Sequence, residues 1–273
     1  VNEPNSKKKL SKRDMKKFVT SDVLKKLNAV GWTNEQIEVR DDLNPATVSF
    51  YKELGYLPEG LVNYLARLGW SLDDHSEIIL LKEMVAKFGL DRVNNAPASF
   101  DPDKLFWVAG EYMKVLPLDK KVEGALPFMQ KAGFIKVDPT QIELETLRKV
   151  VDATGDRLKI FSDILPYGAP FFKANPDYDL KSLAKRVAKE GVPELLKTFS
   201  ASLHTLSDFS VSNIETALKD FCVAGNHNTG MLIHALRVST TGIEVGPGVF
   251  DCLYILGKEE SLRRINLALD LVA

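Results

Sequence analysis

The stretch Gly55–Trp70, "GYLPEGLVNYLARLGW", decides the fold class. Pro58 suits a first helical turn, where its missing amide costs nothing, and Gly69 suits a stop. Between them Leu61, Tyr64, Leu65 and Leu68 recur at three- and four-residue steps, an apolar stripe down one face of a helix. The same grammar extends in both directions. Downstream, "SFDPDKLFWVAGEYMKVLP" (99–117) opens on Asp101 as a cap with Pro102 behind it and stops near Pro117. Thr140–Glu143 and Ser212–Glu215 read as capping boxes, in which a hydroxyl and a carboxylate satisfy each other's orphan amides. "GPGVFDCLYILG" (246–257) and "KEESLRRINLALDLV" (258–272) read as two helices broken at Gly257. Upstream, "SDVLKKLNAV" (21–30) predicts a helix, and a Thr33–Gln36 box opens another.

Period-two alternation is confined to "FIKVD" (134–138) and "GIEVG" (242–246), too little to assemble a sheet. The expected fold is therefore all-α, with helices joined by Gly/Pro turns. Two turn-like seams, "NNAPASFDP" (94–102) and "AKEGVPEL" (188–195), divide the chain into helical blocks at 1–100, 101–190 and 191–273.

The 273 residues are 45% hydrophobic and 27% charged, the balance of a soluble globular protein, with formal net charge -1. No run approaches the length of a membrane span, and no apolar core follows the leading cations as in a signal peptide. A cytoplasmic location without a membrane partner is expected. Cys222 and Cys252 lie in apolar helical segments and read as buried small hydrophobes; two cysteines make neither a disulfide framework nor a zinc site. His75, His204, His227 and His234 show no metal spacing, and Asp41/Asp42 and Asp73/Asp74 read as turn and cap residues, so no metal ligands are expected here. Trp70 and Trp107 follow apolar stripes and read as core; Trp32 lies in a polar segment, and its role stays open.

The cations are unevenly placed. Nine Lys or Arg lie between Val1 and Lys26, against Glu3, Asp14 and Asp22, with the densest run in "KKKLSKRD" (7–14). A solvated arm and a loop that holds nucleotide phosphates both fit such a run. The residues downstream of it supply the discriminating signal. "KLSKR", "FYKELGYLPEGLVNYLARLGW", "FDPDKLFWVAGEYM", "DRLKIFSDIL", "ALRVSTTG" and "GPGVFDCLYILGKEESLRRI" together resemble, in order and over nearly the whole chain, the glutamyl-tRNA synthetases.

That resemblance implies a helical stem-contact domain followed by an α-helical anticodon-binding domain of two subdomains. It implies a ligase that joins glutamate to tRNA(Glu) through ATP-dependent activation, with ATP and Mg2+ used by the intact enzyme and neither held by this part alone. Lys9, Leu10, Ser11, Lys12 and Arg13 match the signature loop that contacts ATP, with Lys12 the catalytic member that stabilises charge on the pyrophosphate leaving group. Losing a contact made chiefly in the transition state hurts the rate more than ground-state affinity. Arg157, Arg237, Gly246, Pro247 and Val249 match the anticodon-contacting positions. Arginine suits that task because its planar fork pairs with a base edge or lies against a base face.

Two departures qualify the likeness. The family's His-x-Gly-His element is absent, and Val1 begins just before the signature, so the chain is expected to be the carboxy-terminal part of a larger enzyme, acting as a monomer and inactive alone. The stretch 15–45 looks like an insertion, near the acceptor side of the tRNA. Competing readings are a non-catalytic helical RNA-binding or scaffolding module, and glutaminyl-tRNA synthetase, whose β-barrel anticodon domains the scarcity of strand signals disfavours. The shorter glutamyl-queuosine-type relative lacks an anticodon-binding region.

Overall fold

The computed structural model describes residues 21–40, 43–94 and 98–273. The signature-loop residues Lys9, Leu10, Ser11, Lys12 and Arg13, and the Asp41/Asp42 pair, lie outside them. Among the described residues the chain is all-α: every regular element is a helix or a 3-10 turn, and strand-like pairing goes no further than isolated bridges such as Trp70 with Val93. Neither "FIKVD" nor "GIEVG" forms a strand. No helix among these residues is long and apolar enough to cross a membrane.

The chain packs as two compact units. The first runs to Gly133 and takes in a returning segment, Asp156–Leu165. Its helices are α1 (Ser21–Ala29), α2 (Asn34–Val39), α3 (Val48–Leu54), α4 (Pro58–Arg67), α5 (Leu81–Lys87), α6 (Pro102–Val115) and α7 (Leu118–Lys131). The second comprises Phe134–Gly155 and Pro166–Ala273. It holds α8 (Gln141–Thr154), most of α9 (Ile164–Phe172), α10 (Leu180–Arg186), α11 (Val192–Thr205), α12 (Val211–Ala224), α13 (Thr229–Thr241), α14 (Val249–Leu256) and α15 (Lys258–Asp270). The seams read from turn composition fall inside these units. Gly and Pro mark where a helix must stop, whereas compactness follows which apolar faces meet.

Local sequence rules place most helix ends. Pro58 starts α4, Asp101 accepts hydrogen bonds from the amides of Asp103 and Lys104 at the head of α6, and the Thr33 and Thr140 boxes close with both reciprocal bonds. The Ser212–Glu215 box does not form. The helix starts two residues earlier, with Ser210 at the cap position, and Asp208 instead accepts from the Ser210 hydroxyl and the Asn213 side-chain amide.

The α4 stripe is half right. Leu61 and Tyr64 are buried, but Leu65 is 48% exposed. The fully buried polar residue Asn63 takes the inner position instead. Its amide donates to the Glu77 carbonyl at 2.9 Å, and its oxygen accepts from the Ile79 amide at 2.7 Å and the Tyr112 hydroxyl at 3.2 Å. It thus supplies, from inside the core, the partners that an extended segment without a sheet neighbour would lack. Asn63→Ala strands those groups and is expected to cost about 2 kcal/mol, read from a urea denaturation midpoint. An unshifted midpoint would refute this accounting.

Each unit has its own apolar core. In the first, α4 lies against α6, and Leu61, Tyr64, Leu105, Val108, Ala109 and Tyr112 pack with Phe50, Leu54 and Ile160. In the second, α13 packs with α15, α14, α11 and α10 around Phe199, Leu218, Leu232, Leu236 and Ile265. Both cysteines are free and buried, as expected, and burial pushes the Cys252 thiol up to about 12. Trp70 is core at 4% exposure, but Trp107 is 38% exposed, with the Lys104 ammonium 4.1 Å above its ring. Trp32 is clasped between Arg40 and Lys131, at 4.3 and 4.5 Å, and donates to Glu53 at 3.0 Å.

Candidate anticodon interface

Arg237 stands in the C-terminal half of α13, one turn before the helix ends at Gly242. Gly242 has φ +78, the left-handed conformation that a helix terminus needs and that a side chain resists. The chain then runs through Ile243 and Glu244 to Gly246, Pro247 and Gly248, and Val249 opens α14. A guanidinium nitrogen of Arg237 lies 3.4 Å from the Glu244 carbonyl, which ties the helix to the turn. Arg237 and the loop carrying Gly246, Pro247 and Val249 are therefore brought together within one unit. Gly246, Pro247 and Val249 are all buried, Val249 at 3% exposure, whereas Arg237 is half-buried.

Lys185 and Arg186, in the last turn of α10, both donate to one carboxylate oxygen of Glu244 at 3.0 Å. Hydrogen bonds from Arg186 and then Lys185 hold the Glu244 carboxyl below its ordinary pKa. His234 completes the group. Burial, and then the nearby Arg186 and Arg237 guanidiniums, hold its pKa below the ordinary imidazole value. Sequence reasoning had singled out neither Lys185 nor Arg186. They come from a helix more than fifty residues upstream, and only the α10–α13 packing brings them here.

Arg157 lies in the other unit, at the end of a 3-10 turn, Gly155–Arg157, just after α8. It is exposed. The segment that follows it is fixed. The Phe161 amide donates to the Gly55 carbonyl at 3.0 Å and the Ser162 hydroxyl to the Leu54 carbonyl at 2.7 Å. Asp163 accepts from the amides of Lys159 and Ile160, at 3.1 Å each, and from Lys26 of α1 at 2.7 Å. Both base-reading candidates thus sit on braced backbone, which keeps the ordering cost on binding low.

The chemistry of these positions suits single-stranded nucleic acid: planar donors, a cationic rim and backbone at a helix-opening turn. Comparison with known proteins agrees. A family described as "Anticodon binding domain" matches residues 120–269. The chain belongs to this anticodon binding domain family. The family described as "tRNA synthetases class I (E and Q), catalytic domain" matches residues 29–107.

Among curated relatives, "Glutamate--tRNA ligase" of Desulforudis audaxviator is 37% identical over 81% of this chain and 45% of its own length. That of Bacillus subtilis is 33% identical over 87% of this chain and 49% of its own. A crystal structure of a glutamate tRNA ligase from Elizabethkingia meningosepticum, in complex with its amino acid, superposes with TM-score 0.78 at 27% identity, covering 100% of this chain and 50% of that one. The chain thus spans about half the length of the glutamate–tRNA ligases it matches.

Proposed function

We propose that this chain is the tRNA-binding portion of a glutamate–tRNA ligase, and that Arg237, with the backbone of Gly246, Pro247 and Val249, and Arg157 contact anticodon bases of tRNA(Glu). The observation that carries the reading is the convergence of Arg237 and the Gly246–Val249 turn inside the region matched to the anticodon binding domain family. On this reading residues 1–100 carry the signature loop and a stem-contact domain, and 101–190 and 191–273 are the two anticodon-binding subdomains. Lys9, Leu10, Ser11, Lys12 and Arg13 contact ATP, with Lys12 catalytic. The intact enzyme joins glutamate to tRNA with ATP and Mg2+ and works as a cytoplasmic monomer.

Among the described residues no three His, Cys, Asp or Glu side chains converge to hold a metal. The residues assigned to ATP lie outside the described part; the proposal assigns Mg2+ and ATP to the intact enzyme. The all-helical described residues favour the glutamyl over the glutaminyl reading.

Two measurements test the proposal. Mixed with ATP and glutamate, the chain is expected to give no pyrophosphate exchange; robust exchange would contradict the assignment of activation elsewhere. In fluorescence anisotropy with tRNA(Glu), Arg237→Ala is expected to lose about 1–2 kcal/mol of discrimination between the native and an altered anticodon, the lower part of the range for a good base contact. Equal discrimination by variant and wild type would remove Arg237 from base reading.

A further inference from the structure

We infer that Lys185 and Arg186 form an RNA-backbone clamp beside the base-reading turn, with Glu244 as the residue that positions it. The inference rests on the anticodon reading and extends it to residues which that reading does not include. The Glu244 side chain gathers the two α10 cations at 3.0 Å each, and its carbonyl meets Arg237 at 3.4 Å. Three cationic side chains therefore meet at one residue, Lys185 and Arg186 on its carboxylate and Arg237 on its carbonyl.

The cluster is only partly satisfied. Lys185 has 60% of its side chain exposed, so two of its three donor directions are open to a ligand. Arg186 Nε is buried and has no hydrogen-bond partner among the described residues. Its side chain is 28% exposed, and Glu244 occupies only its Nη2. A structural ion pair needs one cation for one carboxylate. Two, with a third alongside, suit a diffuse anion such as a phosphodiester.

Position selects the RNA backbone as that anion. Glu244 precedes Gly246 by two residues, so a strand whose bases meet Gly246–Val249 passes its phosphates close to Lys185 and Arg186. Contacts of this kind fix register and contribute affinity without reading sequence. The division of labour is then explicit: Arg237 and the turn read bases, and the end of α10 holds backbone.

The test is the salt dependence of tRNA(Glu) binding by the whole chain. Lys185→Gln, at a mostly exposed position, leaves packing intact and is expected to reduce the log–log slope by about 0.7, the value for one lost phosphate contact on a single strand. Lys185→Gln/Arg186→Gln is expected to remove about twice that. In both, the affinity ratio between native and altered anticodons stays at the wild-type value. A wild-type slope in Lys185→Gln, or a changed anticodon ratio in place of a changed slope, would overturn the clamp. Failure of the unmutated chain to bind any tRNA would overturn the anticodon reading along with it.

Discussion

Arg264→Leu is expected to lower the unfolding free energy by about 3–5 kcal/mol, the range for removing one partner of a buried, hydrogen-bonded charge. Arg264 is 2% exposed in the middle of the second unit. Its guanidinium donates to the carbonyls of Pro170, Thr240 and Lys173 at 2.8–2.9 Å, and its Nε donates to Glu260 at 2.5 Å. These carbonyls belong to helix ends and a turn, which have no intrahelical donor, so one planar fork closes several termini at once. Leucine fills some of the volume and donates nothing. A denaturation midpoint near wild type would show that water reaches those carbonyls.

Glu260 gives this network a pH signature. Hydrogen bonding from Arg263 first, working against partial burial, and then from Arg264, brings its carboxyl from 4.5 to about 2. A folded-state pKa below the unfolded one means the native state binds fewer protons. The stabilisation is complete above about 4.5 and fades as pH falls from there toward about 2. Glu260→Gln is expected to flatten the stability curve in that window and to leave its shape near neutrality unchanged. The network also bears on function, because Thr240 lies three residues after Arg237 on α13, just before the Gly242 turn that leads to Gly246.

Helix content was legible in sequence because its signals are local. A proline at N1, an aspartate cap and a capping box act within one turn, and α4, α6 and α8 start where those signals put them. The failures share a cause. Ser212 has the spacing of a capping box, yet Asp208 offers a competing acceptor. Leu65 and Trp107 have the apolar character of core, but the α4–α6 contact uses the faces that carry Leu61, Tyr64, Val108 and Tyr112. Asn63 and Arg264 could not be found by pattern, since a polar residue at a core position is meaningful only once its distant partners are known.

The site divides in the same way. Arg237 and the Gly246–Val249 turn lie close in sequence and resemble a family segment, so they could be picked out as residues. Lys185 and Arg186 carry no motif. A Lys-Arg pair at a helix end usually answers the helix dipole, and here Glu244 gives it a second role.

Gly55→Ala is expected to cost about 3 kcal/mol and to weaken anticodon discrimination through Arg157 without touching it. Gly55 ends α3 with φ +79, where an L side chain is strained, and its added Cβ would lie 2.7 Å from both Phe128 Cζ and Phe161 Cβ. Phe161 must then move, and the Phe161 amide is what the Gly55 carbonyl holds. The segment Leu158–Asp163, bound to α3 through Gly55 and Leu54 and to α1 through Lys26, is the footing on which Arg157 stands. Lost stability alone would lower binding to every tRNA equally once the folded fraction is corrected for. Lost footing would lower the preference for the native triplet instead. A double-mutant cycle separates the two, because in the Arg157→Ala background Gly55→Ala should then produce no further loss of discrimination. Full additivity in that cycle would mean that Gly55 supports the fold and has no part in presenting Arg157.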